Sequence, residues 1–159
     1  MDIWHDWSLV YIDDDTIPEM ILFCSCEATG NIVLTIHDGQ VVQWNSLRCS
    51  SSFIPRSGLI ENQDGSMGYY YDRVFKLENG TFTEIFNHTD EFYRIHDTIT
   101  ETMEYFCHFK GDSTLRIGFD QECGEYYRMK DSIYTSKGES IEFNAIENRL
   151  STSLFDTDS

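Results

Sequence analysis

The sequence predicts an α+β fold: a mostly antiparallel β-sheet with a C-terminal helix packed against it. Three observations lead there. Short runs of β-branched and aromatic residues recur along the chain, and 14 % of its 159 residues are Phe, Trp or Tyr. Gly, Asn and Asp punctuate those runs, and Asp38-Gly39 and Asn79-Gly80 are the dipeptides that tight hairpins favour. The strongest helix start signal comes late, at Ser136, with apolar residues following at roughly helical spacing.

Taken in order, Trp7–Ile12 reads as a strand, and Met20–Cys26 follows an acidic turn. Ile32–His37 and Val41–Trp44 close on Asp38-Gly39 as a hairpin. Arg48–Gly58 is polar, contains Pro55 and reads as loop. Gly68-Tyr69-Tyr70-Tyr71 opens a strand that runs on through Arg73–Leu77, and Asn79-Gly80 returns it as Thr81–Phe86. Asp97–Tyr105 fits two readings: Ile99 and Met103 are spaced for a helix, whereas Thr98, Thr100 and Thr102 pull toward strand. Tyr105–Phe109 and Leu115–Phe119 form a further pair around Gly111-Asp112, and Tyr126-Tyr127 begins another short strand. The terminal helix is capped by Ser136, with Glu139 three residues on, and buries Ile141, Ile146 and Leu150. A chain of this size suits one domain, here residues 1–150, with 151–159 as a flexible polar tail. The two halves show no internal repeat.

Charge bounds the partners. The chain carries 28 Asp and Glu against 11 Lys and Arg, a formal net charge of −17, and its first 47 residues hold eight acids and no Lys or Arg. Such a surface repels nucleic-acid phosphates and anionic membranes and steers toward cationic partners. Direct nucleic-acid and membrane binding are therefore not expected. No apolar run approaches the ~18 residues of a membrane helix. Met1-Asp2 begins without a basic or apolar signal segment, so the expected location is cytoplasmic.

The five cysteines, Cys24, Cys26, Cys49, Cys107 and Cys123, are odd in number, which argues against a complete disulfide framework and for reduced thiols. Cys24 and Cys26 share one face of a strand. A zinc site would need further ligands, such as His37 or Cys49, that the spacing does not select. Nucleophilic catalysis has no support either. Cys107-His108 and His96-Asp97 are sequence neighbours, which in a strand point to opposite faces and form no dyad. No catalytic residue is assigned, and the chain is expected not to be an enzyme.

Residues 11–19, Tyr-Ile-Asp-Asp-Asp-Thr-Ile-Pro-Glu, form the one motif-like cluster. Calcium loops place carboxylates at alternating positions, with a glycine at the sharp bend and a glutamate closing the shell. Asp13, Asp15 and Glu19 fit those places as candidate metal ligands for weakly held Ca2+; a solvated acidic turn leading into Met20–Cys26 is the simpler reading. At this point the sequence resembles a group of largely uncharacterised secreted and lipoprotein domains of gut and soil Firmicutes. These often read Asp-Ile-Asp-Gly-Asp-Gly-Val-Pro-Glu-Leu, then a hairpin around Asp-Gly, a Tyr-rich stretch and a late Ser-x-x-Glu-Phe-type helix. Ile12, Asp13, Asp15, Pro18 and Glu19 match the first motif, and Ser140-Ile141-Glu142-Phe143-Asn144 is similar to part of the last. The resemblance implies a bacterial β-rich module with a calcium-dependent or structural role. Tyr11 stands where that group has its first aspartate, and Asp14 and Thr16 replace its glycines. If the metal-bound geometry is kept, a non-glycine residue at the sharp bend costs strain, and the loss of one carboxylate lowers affinity further.

The aromatic and acidic residues of the middle chain suggest a surface for a protein partner. Tyr69, Tyr70 and Tyr71 occupy both faces of one strand, with Trp4, Trp7 and Trp44 as further aromatic surface, and Glu84–His108 holds six acids against Arg94 alone. Tyr69, Tyr70, Tyr71, Glu84, Asp90, Glu91, Glu101 and Glu104 are the candidate partner-binding residues. The function that these features favour is a non-enzymatic acidic interaction domain, of the immunity-protein or inhibitor kind, that covers a basic surface of a nucleic-acid-binding protein. The alternative is a weak calcium-binding or structural module. No cofactor is expected beyond weak Ca2+.

Overall fold

Strand pairing divides the chain between two antiparallel sheets. The computed structural model describes the backbone of residues 4–66, 69–96, 101–109, 112–116 and 128–151, and the side chains of 6–65, 70–89 and 128–150. The first sheet is a meander of β1 (Trp4–Val10), β2 (Glu19–Cys24), β3 (Ile32–His37) and β4 (Gln40–Asn45), with the late strand β12 (Leu150–Ser151) paired to the free edge of β1. The second runs β5 (Ser51–Ile54), β6 (Leu59–Ser66), β7 (Tyr69–Glu78), β8 (Thr81–His96), β9 (Glu101–Phe109) and β10 (Asp112–Arg116), with β11 (Ile141–Glu142) beyond β5. Residues 128–133 form a short helix, α1, extended by a 3-10 turn at Thr135–Lys137. The molecule is therefore α+β, mostly antiparallel sheet, with a helix near the C-terminus against the sheet.

Both hairpin turns lie where their dipeptides place them. Asp38 and Gly39 have φ of 50° and 73°, Asn79 and Gly80 of 49° and 68°. Positive φ at both central residues gives the turn whose twist matches its strands. His37 then faces Gln40, and Glu78 faces Thr81.

Alternation sorts side chains onto faces. Ile21, Phe23, Val33 and Trp44 of the first sheet meet Phe53, Ile60, Phe75 and Leu77 of the second, with Ile12 and Phe143 completing the cluster. Trp44 and Phe75 meet edge-on with ring centroids 5.2 Å apart. The second sheet is buried on its other face too: Ile54, Leu59, Val74 and Phe86 pack with Tyr134 and Ile133 from the helical segment. The outward positions of the first sheet, among them Met20, Leu22, Ile32 and Leu34, belong to neither cluster.

Several elements differ from expectation, each for a physical reason. Ser51–Ile54, inside the presumed loop Arg48–Gly58, is a strand buried on both faces. Its serines are satisfied there: Ser51 Oγ accepts from Asn62 Nδ2 at 3.2 Å, and Ser52 Oγ donates to Glu61 Oε2 at 3.1 Å. Pro55 sits just past the strand, in the turn to β6, where it interrupts no ladder. Leu59–Ser66, to which the sequence pattern assigns no element, pairs along β7. Where Asp97–Tyr105 fitted two readings, residues 101–105 belong to β9; 97–100 lie outside the described residues, as do Tyr126-Tyr127 and 152–159.

The terminal helix lies upstream of its predicted place. Ser136 donates its hydroxyl back to the Ser132 carbonyl at 3.0 Å, so it closes a helix instead of capping a new one. The following segment adds Ile141–Glu142 to one sheet and Leu150–Ser151 to the other. Phe143, fully buried between them, is its anchor, while Ile141 and Leu150 stay 38 % and 45 % exposed. Pairing with two open strand edges overrides a helical spacing that buries only one of its residues.

Candidate functional site

The acidic loop joins β1 to β2 at the end of the sandwich where both tight hairpin turns and the β5–β6 turn converge. Gly80 is pressed against the β3–β4 hairpin: a Cβ there would come within 2.3 Å of His37 Cβ, so this close approach needs glycine. Backbone bonds bolt the loop down. Arg56 N donates to the Tyr11 carbonyl at 3.0 Å and Gly58 N to the Ile12 carbonyl at 2.7 Å. The Arg56 guanidinium lies 4.2 Å over the Tyr11 ring and donates to the Asp15 carbonyl at 3.3 Å. Tyr11 thus serves as a platform for Arg56.

Within the loop, Asp15 N donates to Asp13 Oδ1 at 3.1 Å and Ile17 N to Asp15 Oδ1 at 2.7 Å. These successive side-chain turns bend the loop, and none of residues 13–17 has positive φ. The loop thus bends without left-handed backbone, because side-chain acceptors make the turns. Glu19 is the first residue of β2 and points inward, fully buried. Its Oε2 accepts from Ile12 N at 2.8 Å and its Oε1 from the Thr35 hydroxyl at 3.2 Å.

Asp13, Asp15 and Glu19, the predicted metal ligands, are brought together: one oxygen from each lies within 4.8 Å of the others. Oxygens that share one Ca2+ at 2.3–2.6 Å cannot be more than about 5 Å apart, so the spacing suits a common ion. Burial pushes the Glu19 carboxyl above its usual pKa, and the charge of Asp13 adds to the rise. Burial likewise raises Asp13, with repulsion from Asp15 and Asp14 contributing. Each carboxylate oxygen keeps a second lone pair beyond its hydrogen bond, so ligation remains open to all three. The adjoining cleft holds about 420 Å³ and is lined by Asp13, Asp14, Asp15, His37, Arg56 and Lys76 among others. It is mostly polar and flanked by both signs of charge.

Of the predicted partner-binding residues, the three with described side chains, Tyr70, Tyr71 and Glu84, do not share one surface. Tyr71 is buried, and its hydroxyl donates to the Leu47 carbonyl at 2.5 Å. Tyr70 is 48 % exposed on the opposite face of β7. Glu84 lies opposite Phe75, on the face away from Tyr70, and accepts from Arg73 Nε at 2.6 Å and Asn87 Nδ2 at 3.0 Å. Only the backbone of Tyr69, Asp90, Glu91, Glu101 and Glu104 is described; their side chains lie outside the described residues. Cys24, Cys26 and Cys49 are free thiols, and Cys49 Sγ donates to the Cys26 carbonyl at 3.6 Å.

Sequence reasoning missed a buried ionic cluster between the second sheet and α1. Lys130 reaches from the helix to pair with both Glu61 and Asp72, donating to Asp72 Oδ2 at 2.6 Å. Ser52 Oγ and the Tyr134 hydroxyl lie 2.7 Å apart beside Glu61, and His88 faces Asp72 across the β7–β8 ladder. Burial pulls the Lys130 ammonium pKa down, yet Asp72 and Glu61 outweigh it and leave the net shift upward. Burial raises Glu61 and Tyr134 as well. No local spacing connects Ser52, Glu61, Asp72, Lys130 and Tyr134, so no sequence signal marks the cluster. It holds the helix to the sheet.

No family model matches the chain, and neither a curated protein nor a solved structure is found to be similar to it.

Proposed function

We propose that the protein is a β-sandwich module whose Asp13–Glu19 loop binds a divalent cation, Ca2+ by its all-oxygen donor set, weakly and reversibly. The observation that carries the reading is the approach of three carboxylates to within 4.8 Å at the base of a bolted loop. Such a group is costly without a counter-charge. The likeness of Ile12–Glu19 to the aspartate-rich loops of secreted bacterial domains supports it. With Tyr11 in place of a carboxylate, the expected affinity is in the range of weak extracellular modules, a Kd of about 10⁻⁴–10⁻³ M.

Mass action then fixes the expected response. At ten times Kd, Ca2+ stabilises the fold by about 1.4 kcal/mol. For a domain of this size that is a rise in Tm of about 3–6 °C. Asp13→Asn and Asp15→Asn are each expected to abolish most of the rise, measured by thermal unfolding with Ca2+ against chelator at constant ionic strength. An equal rise in the variants would mean ionic screening and not ligation.

The pH dependence carries a definite sign. Asp13 and Glu19 have raised pKa values in the fold, so the folded state binds their protons more readily than the unfolded chain. Without a cation, their contribution to stability is greatest at low pH and falls as pH rises through the folded values. Ca2+ displaces those protons. The calcium-dependent gain in Tm is therefore full above the folded pKa values and fades to zero as pH falls through them. A gain that persists below pH ~4 contradicts ligation by these carboxylates.

A further inference from the structure

Three of the chain's five cysteines meet at the end of β2 remote from the cation loop. Cys24 closes β2, Cys26 lies in the turn toward β3, and Cys49 lies between β4 and β5. Cys26 is exposed; the other two are half-buried. Both half-buried sulfurs rest on the backbone of Cys26. Cys24 Sγ accepts from Cys26 N at 3.2 Å, and Cys49 Sγ donates to the Cys26 carbonyl at 3.6 Å. The buried Asn31 side chain ties those two residues together: its Oδ1 accepts from Cys24 N at 3.1 Å, and its Nδ2 donates to the Cys49 carbonyl at 3.2 Å. Arg48 clamps the same segments from outside, pairing at 3.2 Å with Glu27 of the turn and at 3.2 Å with Asp64 of β6.

The thiols are not equivalent. Hydrogen bonds from the Ala28 N–H and the Thr29 hydroxyl hold the Cys26 thiol below its ordinary pKa, and the Arg48 guanidinium adds to the effect. Burial pushes the Cys49 thiol up, with Cys24, Glu27 and Asp64 adding to the rise. The thiolate is the nucleophile, so an oxidant arriving from solvent meets a reactive Cys26 and a protected Cys49. We propose that Cys26 is a redox-modification site, at which a hydroperoxide forms a sulfenic acid that Cys49 captures as a disulfide. In the first step the Cys26 thiolate attacks a peroxide oxygen: an S–O bond forms, the O–O bond breaks, and the leaving oxygen takes a proton from water. Sulfur loses two electrons and the peroxide gains them. The Cys49 thiol then attacks the sulfenic sulfur; the S–S bond forms, the S–O bond breaks, and the hydroxyl leaves as water with the Cys49 proton.

Reach favours Cys49. A carbonyl oxygen lies about 2.4 Å from its own Cα, so the Cys49 sulfur is within about 6 Å of Cys26 Cα. Rotation about the Cys26 Cα–Cβ bond and a small shift of the exposed turn bring the sulfurs together. A Cys24–Cys26 bridge would close a ring across one residue, which strains the bond and makes it easily reduced. The site lies apart from the cation loop and does not depend on it.

The test adds hydrogen peroxide in slight excess to the reduced full chain in chelator near neutral pH. Peptide mapping without reductant then reads every cysteine, Cys107 and Cys123 included. A Cys26–Cys49 bridge is expected as the main disulfide, and Cys24→Ser is expected to leave it in place. Cys49→Ser is expected to stop at the Cys26 sulfenic acid, which a cyclic diketone traps with at least tenfold more adduct than in the parent. Iodoacetamide is expected to alkylate Cys26 of the unoxidised parent at least tenfold faster than Cys49, a comparison that needs no variant to fold. Equal alkylation rates would overturn the proposal. So would a main bridge through Cys24, or no diketone adduct at Cys26 in folded Cys49→Ser protein.

Discussion

Lys130→Met is expected to destabilise the fold by about 3–5 kcal/mol, the largest loss anticipated for any single polar side chain here. The methionine fills much of the lysine stem's volume, so the loss comes from charge. Glu61 and Asp72, 7 % and 8 % exposed, would be left facing each other without the ammonium that now joins them. Urea unfolding measures the change, with a lowered midpoint at unchanged slope. The companion variant Glu61→Gln/Asp72→Asn/Lys130→Met removes all three charges and is expected to recover most of the loss, since the cost lies in unpaired charge and not in the missing cation as such. A loss below about 1 kcal/mol for Lys130→Met would mean that the cluster is hydrated and does not clamp the helix.

Glu19 separates folding from cation binding. Glu19→Ala is expected to cost about 2–4 kcal/mol, because it strands the buried Ile12 N–H and the Thr35 hydroxyl and opens a void at the base of the loop. Glu19→Gln behaves differently. Its carbonyl oxygen can accept from Ile12 N while its amide donates to the Thr35 hydroxyl, so stability without cation should change by less than about 1 kcal/mol. The carboxylate charge is gone, and with it the calcium response. A folded Glu19→Gln protein with the full response would remove Glu19 from the ligand set. A Glu19→Ala protein as stable as the parent would show that the loop is not held by this side chain.

What the sequence made legible were local features with local causes. The two Gly-containing turns need left-handed backbone, and Asp38-Gly39 and Asn79-Gly80 announce it whatever surrounds them. The loop carboxylates were legible because alternating residues in a short bend converge by geometry alone. Long-range satisfaction was not. Ser51 and Ser52 look like loop residues until Asn62, Glu61 and Tyr134 are seen to complete their hydrogen bonds. Lys130 looks like a solvated charge until α1 lays it across two strands. The segment Ser136–Leu150 was misplaced for the same reason: its conformation is set by the open edges of β5 and β1, which its own residues do not encode. The tyrosine run shows the limit of composition, for alternation buries Tyr71, leaves Tyr70 exposed and sets Glu84 on the other face.

Calorimetric titration of the chelator-treated protein with Ca2+ tests the central reading most directly. A single site per chain with a Kd of about 10⁻⁴–10⁻³ M is predicted, abolished by Glu19→Gln and weakened as pH falls through the folded pKa values of Asp13 and Glu19. Heat that shows no saturation, or that is unchanged in Glu19→Gln, would contradict it and leave the loop as an acidic bend held by its own hydrogen bonds.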